Sequence, residues 1–384
     1  MKTTTLTIIS LILLFIVASA TSACKKHADA HQPHKVDPAA SVHFDPITVR
    51  GEERRSGMYD ITLEYGDDGI GWMAYSWVHK PKYVGTHLAK STDHGKTWTY
   101  VSTINRSKEG TLKANGKTMQ GVWRYETPTL VYDRDDVPAQ RWKLFSQRVF
   151  IEAPYKKRSA LWGNSWIEYR YARSPEGPWS DPIRAFSAKS GSGLNLNGLN
   201  QELKDMAFYN ELGSLEHNGI LYMSLDASPT DSGVGKWNKR KIILISSKDH
   251  GKHWGYIGTL TNADDAGQFG YLVFTTSSLA RVDNRNYLLV SPAGRKGLFV
   301  KNRGHDGTLI FEFDDINRAK LKHDANGQLT VIKKISPSLT TGGESDYDAQ
   351  NRNGGIVFCQ IDLSVKSPDA EFFKIFNTGE NIGR

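Results

Sequence analysis

Cysteine is almost absent from this chain, with Cys24 and Cys359 the two examples among 384 residues. A disulfide framework is therefore excluded. The sequence also lacks an HExxH helix, a paired CxxC, an EF-hand loop and a glycine-rich phosphate loop between a strand and a helix. We therefore expect no metal or nucleotide cofactor, although the sequence leaves a structural calcium ion open.

The composition favours a folded, basic protein. Hydrophobic residues make up 39% and charged residues 23%, and aromatic residues are plentiful. This composition suits a packed core and disfavours intrinsic disorder. The formal net charge of +8 favours polyanionic partners such as acidic glycans. Nucleic acid is not expected, because no nucleic-acid-binding motif is present.

The N-terminus has the order of a secretory signal. Lys2 precedes an apolar run over residues 6–20, and small residues lead to Cys24. This arrangement resembles the lipobox of bacterial lipoproteins, in which the cysteine is lipidated. We expect a signal peptide over 1–23, a polar tether over 24–40, and one propeller domain over 41–384. The protein would be a monomer anchored to the cell envelope outside the cytoplasmic membrane, with plain secretion as the alternative.

A short turn motif is repeated along the chain. Ser91-Thr-Asp-His-Gly-Lys-Thr-Trp98 recurs as Ser247-Lys-Asp-His-Gly-Lys-His-Trp254, and a looser copy covers 174–179. The motif resembles the Asp-box of sialidases and other β-propellers, which joins the outer strands of a blade. We therefore assign Asp93 and Asp249 to turn formation and not to catalysis.

A second repeat precedes these turns and indicates the fold. Five β-rich segments begin near residues 59, 125, 210, 275 and 346, each followed by another strand. We predict an all-β, five-bladed β-propeller, with a six-bladed, sialidase-like propeller as the alternative. The strand around Phe44–Val49 is expected to complete the last blade and close the ring.

The first strands of the blades line the central channel of a propeller, so residues at their starts converge. By this alignment those residues are Asp60, Glu126, Glu211, Thr275 and either Asp346 or Asp348. Carboxylates crowded in one pocket push their pKa values apart, so one serves as acid while another stays ionised. Glycoside hydrolysis uses such a pair.

The five-sheet pattern, Asp60, and the segment Glu126-Thr-Pro-Thr-Leu130 resemble glycoside hydrolase families 32 and 43. Family 32 carries its acid in a Glu-Cys-Pro segment, which Glu126 and Pro128 match; the family Asp is usually followed by Pro, whereas here Ile61 follows. The resemblance implies that Asp60 is the base or nucleophile. Glu211 would then be the general acid, with Glu126 orienting the sugar or tuning the pKa of that acid.

Aromatic and basic residues near these positions suggest a carbohydrate substrate, with an anionic sugar as one reading. The predicted substrate-binding residues are Arg55, Tyr59, Arg124, Tyr125, Asn210, Tyr347 and Asp348. The second hypothesis is an exo-sialidase, which would need an arginine triad, a Tyr nucleophile and an Asp acid/base. Its candidates are Arg55, Arg148 or Arg170, Arg285 or Arg295, with Tyr347 and Asp60. A third hypothesis is a non-catalytic glycan-binding propeller.

Overall fold

The computed structural model describes residues 42–53, 56–79, 81–155, 161–189, 193–230, 237–294, 305–351, 354–365 and 371–382. Cys24, Arg55 and Arg295 lie outside these residues, as do the predicted signal peptide and tether. Within the described part of the chain, no helix is both long and apolar enough to cross a membrane.

The described strands form four hydrogen-bonded sheets of nine, six, four and five strands. The nine-stranded sheet contains the first and the last antiparallel meander, which meet where Gly57 of the first pairs with Phe373 of the last. We call the five meanders blades 1 to 5. Two short strands come first, β1 (Asp45–Pro46) and β2 (Val49–Arg50). Blade 1 contains β3 (Gly57–Tyr65), β4 (Gly71–His79), β5 (Tyr83–Ser91) and β6 (Trp98–Asn105). Blade 2 contains β7 (Lys108–Ala114), β8 (Lys117–Tyr132), β9 (Trp142–Glu152), β10 (Trp166–Ala172), β11 (Ile183–Ser187) and β12 (Leu194–Asn195).

The remaining three blades follow in chain order. Blade 3 contains β13 (Phe208–His217), β14 (Ile220–Ser228), β15 (Lys241–Ser247) and β16 (Gly255–Asn262). Blade 4 contains β17 (Val273–Val282), β18 (Arg285–Ala293), β19 (Thr308–Asp315), β20 (Lys320–Leu321) and β21 (Val331–Ile335). Blade 5 contains β22 (Thr341–Tyr347), β23 (Ile356–Ile361) and β24 (Phe373–Asn377).

Helices are short and lie in the connections. The α-helix α1 (Ala263–Gln268) follows blade 3 and begins with a capping box, in which Asn262 and Asp265 bond reciprocally. Single 3₁₀ turns cover Pro138–Gln140, Trp162–Asn164, Leu196–Gly198, Gln201–Leu203, Trp237–Lys239 and Ile316–Arg318.

The first strands of the five blades contact one another in sequence and close a ring, because β22 also contacts β3. Hydrogen bonds join neighbouring first strands. The Leu130 amide donates to Thr62 Oγ1 at 3.2 Å, and the Thr129 and Ser214 hydroxyls lie 2.8 Å apart. Asp346 completes this pattern, since it accepts from Ser278 Oγ and from the Leu63 amide, both at 2.7 Å. The predicted β-propeller fold is confirmed.

The N-terminal segment joins the last blade, as predicted. Strand β1 pairs antiparallel with β24, with Asp45 opposite Asn377, and β2 pairs with β6 of blade 1. Ring closure through both chain ends covers edges that would otherwise be open to pairing with another molecule.

Each hydrophobic core lies between two adjacent blades. Blades 3 and 4 bury Tyr222 and Ile242 against Phe274 and Phe311, for example. Burying one such large side chain stabilises the fold by roughly 1.5–3 kcal/mol. The propeller is therefore held by five interfaces of similar construction and not by one central core.

The two closest copies of the repeated turn form the same hydrogen bonds between the third and fourth strands of blades 1 and 3. The Gly95 and Gly251 amides each donate to the motif serine at 2.8 Å. Asp93 accepts from the Thr97 amide and Asp249 from the His253 amide, both at 2.9 Å. Both carboxylates are thus engaged in their own turns.

Candidate active site

Every first strand contains one β-bulge, and a residue at or beside the bulge has a left-handed backbone. These residues are Asp60, Thr127, Glu211, Thr276 and Glu344, with φ between 39° and 53°. A non-glycine residue in this conformation costs roughly 1–3 kcal/mol and tends to occur where function requires it. The bulges place five equivalent side chains around the start of the channel.

Three of these five residues are acids, and their carboxyl groups meet. One oxygen from each of Asp60, Glu211 and Glu344 lies within 4.8 Å of the others. The space enclosed here is about 30 Å³, which is room for one water molecule. Three acids from three first strands therefore share one small space at the centre of the ring.

Asp60 is held as a hydrogen-bond acceptor. Its Oδ2 accepts from the Ser76 hydroxyl at 2.5 Å and from the Thr127 amide at 3.2 Å. These two contacts fix the position of the Asp60 carboxyl group.

Glu211 sits beside a buried ion pair. Asn210 Nδ2 donates to its Oε1 at 3.1 Å. Behind it, Arg240 donates from Nε to both oxygens of the fully buried Asp226, at 2.8 and 2.9 Å. Burial, followed by the Asp60 and Asp226 carboxylates, raises the pKa of Glu211 well above its ordinary value. Glu211 is therefore suited to carry a proton at neutral pH.

Glu344 is the third acid, and its pKa is also raised. Burial is the main cause, and the charges of Asp60 and Glu211 and a hydrogen bond with Asp60 add to it. Nδ1 of His305 lies 3.2 Å from Glu344 Oε1. Burial and the nearby Arg240 lower the pKa of His305 to about 4, so this imidazole is neutral at physiological pH.

The alignment of the five β-rich segments with one another selected the wrong residue in three blades. Thr127, and not Glu126, is equivalent to Asp60; Thr276 replaces the predicted Thr275; and Glu344 replaces Asp346 or Asp348. A bulge adds a residue to one strand, so an alignment by strand alternation slips by one or two positions. The sequence contains one pattern that identifies the correct residues in three blades. A leucine follows the bulge residue by three positions, so Leu63, Leu130 and Leu279 mark Asp60, Thr127 and Thr276.

Glu126 does not line the space between the three acids. It forms an ion pair with Arg124, whose Nη1 lies 3.3 Å from Glu126 Oε1. Its charge contributes to the raised pKa of Glu211. This position fits the predicted tuning role better than a direct catalytic one.

Of the predicted substrate-binding residues, Tyr59 and Asn210 lie next to the acids. Tyr59 is buried, packs 5.1 Å from the Phe373 ring and, after burial itself, owes part of its raised pKa to the Glu344 charge. Arg124 donates to the Lys82 carbonyl at 3.0 Å. Tyr125 is buried beneath Arg148, whose guanidinium lies 5.5 Å from the ring centre.

Tyr347 and Asp348 are misplaced in the sequence prediction. They follow Glu344 by three and four residues, and Tyr347 lines an adjoining cavity with Glu64 and Asp346. Asp348 is buried and accepts from the Tyr65 hydroxyl at 2.7 Å. Neither side chain lines the space between the three acids.

Two clusters among the described residues bring potential metal ligands together. The first is the acid cluster, which offers three oxygens, whereas calcium takes six to eight. The second contains Asp133, Asp136 and His250. There the buried Lys143 ammonium lies 3.0 Å from Asp133 and 2.6 Å from Asp136, so a cation is already supplied by the protein.

The strand order and ring define a β-propeller of the kind found in several glycoside hydrolases. Glycoside hydrolase family 32 from Bifidobacterium adolescentis matches with a TM-score of 0.55 and 13% identity, covering 87% of this chain and 57% of that one. An α-L-arabinanase from Penicillium chrysogenum, solved with arabinobiose, gives 0.47 and 12%, covering 88% and 98%. A Bacillus subtilis arabinanase gives 0.46 and 14%, covering 86% and 94%.

This likeness establishes the fold, and the present chain spans a little over half of the Bifidobacterium protein. No family model matches the sequence, and no curated protein matches it.

Proposed function

We propose that this protein is a glycoside hydrolase whose active centre is the cluster of Asp60, Glu211 and Glu344. The observation that supports this most is the convergence of three carboxyl groups, from three different blades, around one space in the central channel. Their environments differ as acid–base chemistry requires. Asp60 accepts two hydrogen bonds, while the pKa values of Glu211 and Glu344 are raised.

In this mechanism Glu211 is the general acid and protonates the glycosidic oxygen. Asp60 attacks the anomeric carbon and forms a glycosyl ester. Glu211, now ionised, then removes a proton from water, which hydrolyses that ester and restores both groups. Glu344, with an oxygen within 4.8 Å of the Asp60 and Glu211 carboxyl groups, completes the cluster.

The short separation of the acids supports this two-step route. Inverting enzymes keep their two carboxyl groups about 6.5–9.5 Å apart to admit a water, whereas retaining enzymes keep them about 5–5.5 Å apart. The nearest oxygens of Asp60 and Glu211 lie within 4.8 Å of each other, so the two carboxyl groups are near enough for the closer arrangement.

The described arginines around the site are each close to a carboxylate. Arg124 pairs with Glu126, Arg148 lies 3.4 Å from Glu168, and Arg240 is bonded to Asp226. The basic segments 156–158 and 295–296, on which an anionic substrate would depend, are outside the described residues.

The sialidase hypothesis finds less support. Arg170 donates to Asn105 at 2.8 Å and to the Ser180 carbonyl at 2.6 Å, and Arg285 is 62% exposed beside Glu312. Tyr347 lines the adjoining cavity and not the space between the acids. The described candidates thus do not assemble around Asp60.

The test is hydrolysis of a panel of neutral and anionic glycans by the wild type, Asp60→Asn and Glu211→Gln. We expect both variants to fold and to lose at least about 10²-fold in activity. Glu216→Gln is the matched control, because Glu216 lines the adjoining cavity. Equal turnover by all four proteins would refute the proposal, and binding without cleavage would favour a glycan-binding propeller.

We also propose, from the N-terminal sequence alone, that Cys24 anchors a monomeric protein to the cell envelope. Labelling with a radioactive fatty acid should mark the wild type and not Cys24→Ser. Release of the wild type without label would indicate plain secretion.

A further inference from the structure

A second group of potentially reactive side chains lies in blade 1 and shares no residue with the acid cluster. Nδ1 of His87 is 2.9 Å from Glu52 Oε2, and Nε2 of His87 is 3.1 Å from the Thr103 hydroxyl. Glu52 is 3% exposed and His87 is 10% exposed. The order hydroxyl, imidazole, carboxylate is the arrangement that activates an oxygen nucleophile.

The surrounding contacts indicate which ring nitrogen of the His87 imidazole carries the proton. The Glu52 carboxylate only accepts hydrogen bonds, so Nδ1 of His87 carries the proton. In the neutral ring Nε2 is then an acceptor and faces the Thr103 hydroxyl. Trp77 stacks on the imidazole at 5.0 Å with an angle of 6° between the planes, which holds the ring in place.

Glu52 is itself held by several donors. Its Oε1 accepts from the Glu53 amide at 2.9 Å, and Oε2 also accepts from the Tyr75 hydroxyl. The carboxylate is therefore fixed before any ligand arrives, as the orienting group of a catalytic relay must be.

We call Glu52, His87 and Thr103 the blade 1 relay. Blade 3 shows that the propeller fold does not require it. Its outer hairpin has the same Tyr-x-x-Thr pair, with Tyr256 and Thr259 3.0 Å apart like Tyr100 and Thr103. The residue opposite Thr259 is Ile243, at the position that His87 occupies opposite Thr103.

The second strands of the two blades, β14 and β4, show the same difference between apolar and polar residues. Leu225 faces Ile243 in blade 3, where Tyr75 faces His87 in blade 1. Both blade 3 residues are fully buried. Replacing a buried polar group by an apolar one of similar shape is often neutral or stabilising. The stability of the fold therefore does not explain why blade 1 has Tyr75 and His87 at these positions.

The relay opens onto a pocket of about 410 Å³, a size that accepts a small organic ligand. His87 and Thr103 line it together with Trp77, Tyr83, Arg106 and Lys108. The aromatic rings offer apolar contact, and the two cationic side chains offer positive charge for an oxyanion.

We propose that Thr103, His87 and Glu52 form a second hydrolytic site that cleaves small carboxylic esters. Thr103 Oγ1 attacks the ester carbonyl carbon while its proton passes to His87 Nε2. The bond to the alcohol breaks, and the alcohol leaves with that proton. His87 then takes a proton from water, whose oxygen attacks the acyl-threonine, releasing the carboxylic acid and restoring Thr103.

The test uses the full chain, p-nitrophenyl acetate as substrate and a fluorophosphonate as a covalent probe of the nucleophile. We expect the wild type to hydrolyse the ester and to carry one phosphonyl group on the peptide containing Thr103. Thr103→Val should lose the label and at least about 10²-fold in rate, whereas Thr103→Ser should keep both.

Two further variants separate catalysis from folding. His87→Ile copies the blade 3 residue, so it should fold, as circular dichroism would verify, yet lose the label on Thr103. Thr259→Val removes the equivalent hydroxyl of blade 3 and should leave rate and label unchanged. An unlabelled Thr103 in the wild type, or a Thr103→Val protein that hydrolyses the ester at the wild-type rate, would overturn the proposal.

Discussion

Glu64 allows a quantitative test of the electrostatics of the channel without touching the proposed catalytic residues. It lines the cavity that adjoins the acid cluster, and its Oε1 accepts from the Tyr65 amide at 2.9 Å. Burial, with smaller contributions from Asp346 and Glu216, raises its pKa from 4.5 to about 7.

The folded chain therefore keeps a proton on Glu64 at pH values where the unfolded chain has lost it. The contribution of Glu64 to the free energy of unfolding must therefore fall as the pH rises from about 4.5 to about 7. A difference of about 2.5 pKa units corresponds to about 3 kcal/mol. Glu64→Gln cannot ionise in either state and lacks this loss.

We expect Glu64→Gln to gain about 3 kcal/mol of unfolding free energy relative to the wild type between about pH 4 and about pH 9. Urea unfolding followed by tryptophan fluorescence measures it, since the chain has 10 tryptophans. Glu176→Gln is the control, because Glu176 is 52% exposed. A constant difference between Glu64→Gln and the wild type across this pH range would refute the reasoning.

Two predictions concern the acid cluster. Glu126→Gln removes one of the charges that raise the pKa of Glu211, so the basic limb of the kcat/KM profile should move to lower pH by less than about one unit; an unmoved or upward-shifted limb would exclude the tuning role. Proton NMR of the first product should show a retained anomeric configuration, because the Asp60 and Glu211 oxygens are within 4.8 Å. Inversion would instead make Asp60 a base that activates water.

The sequence was sufficient for the fold because a propeller repeats itself. Copies of one turn motif and five strand pairs indicated sheets of similar construction, and the ends of the chain indicated closure through the last blade. Asp60 and Glu211 were found by the same repetition.

Glu344 was missed because a bulge changes the register within a strand. The fifth segment lacks the leucine that follows Asp60, Thr127 and Thr276 by three residues, and Tyr347 stands there instead. The relay in blade 1 was beyond sequence reasoning for another reason. Glu52, His87 and Thr103 come from a loop and two strands, and only the folded register brings them together.

The conformations of the ring residues connect fold and function. Five non-glycine residues with positive φ lie at equivalent positions, and three of them are the clustered acids. The interblade hydrogen bonds of Thr62, Ser278 and Asp346 lie directly below them.

The most direct measurement of the proposed chemistry is the activity of Glu211→Gln on two aryl glycosides of a sugar that the wild type cleaves, one with a poor leaving group and one with a good one. If Glu211 donates the proton to the departing oxygen, the variant should lose about 10²–10⁴-fold on the poor leaving group and far less on the good one. Equal losses on both substrates, or no loss on either, would contradict the assignment of Glu211 as the general acid.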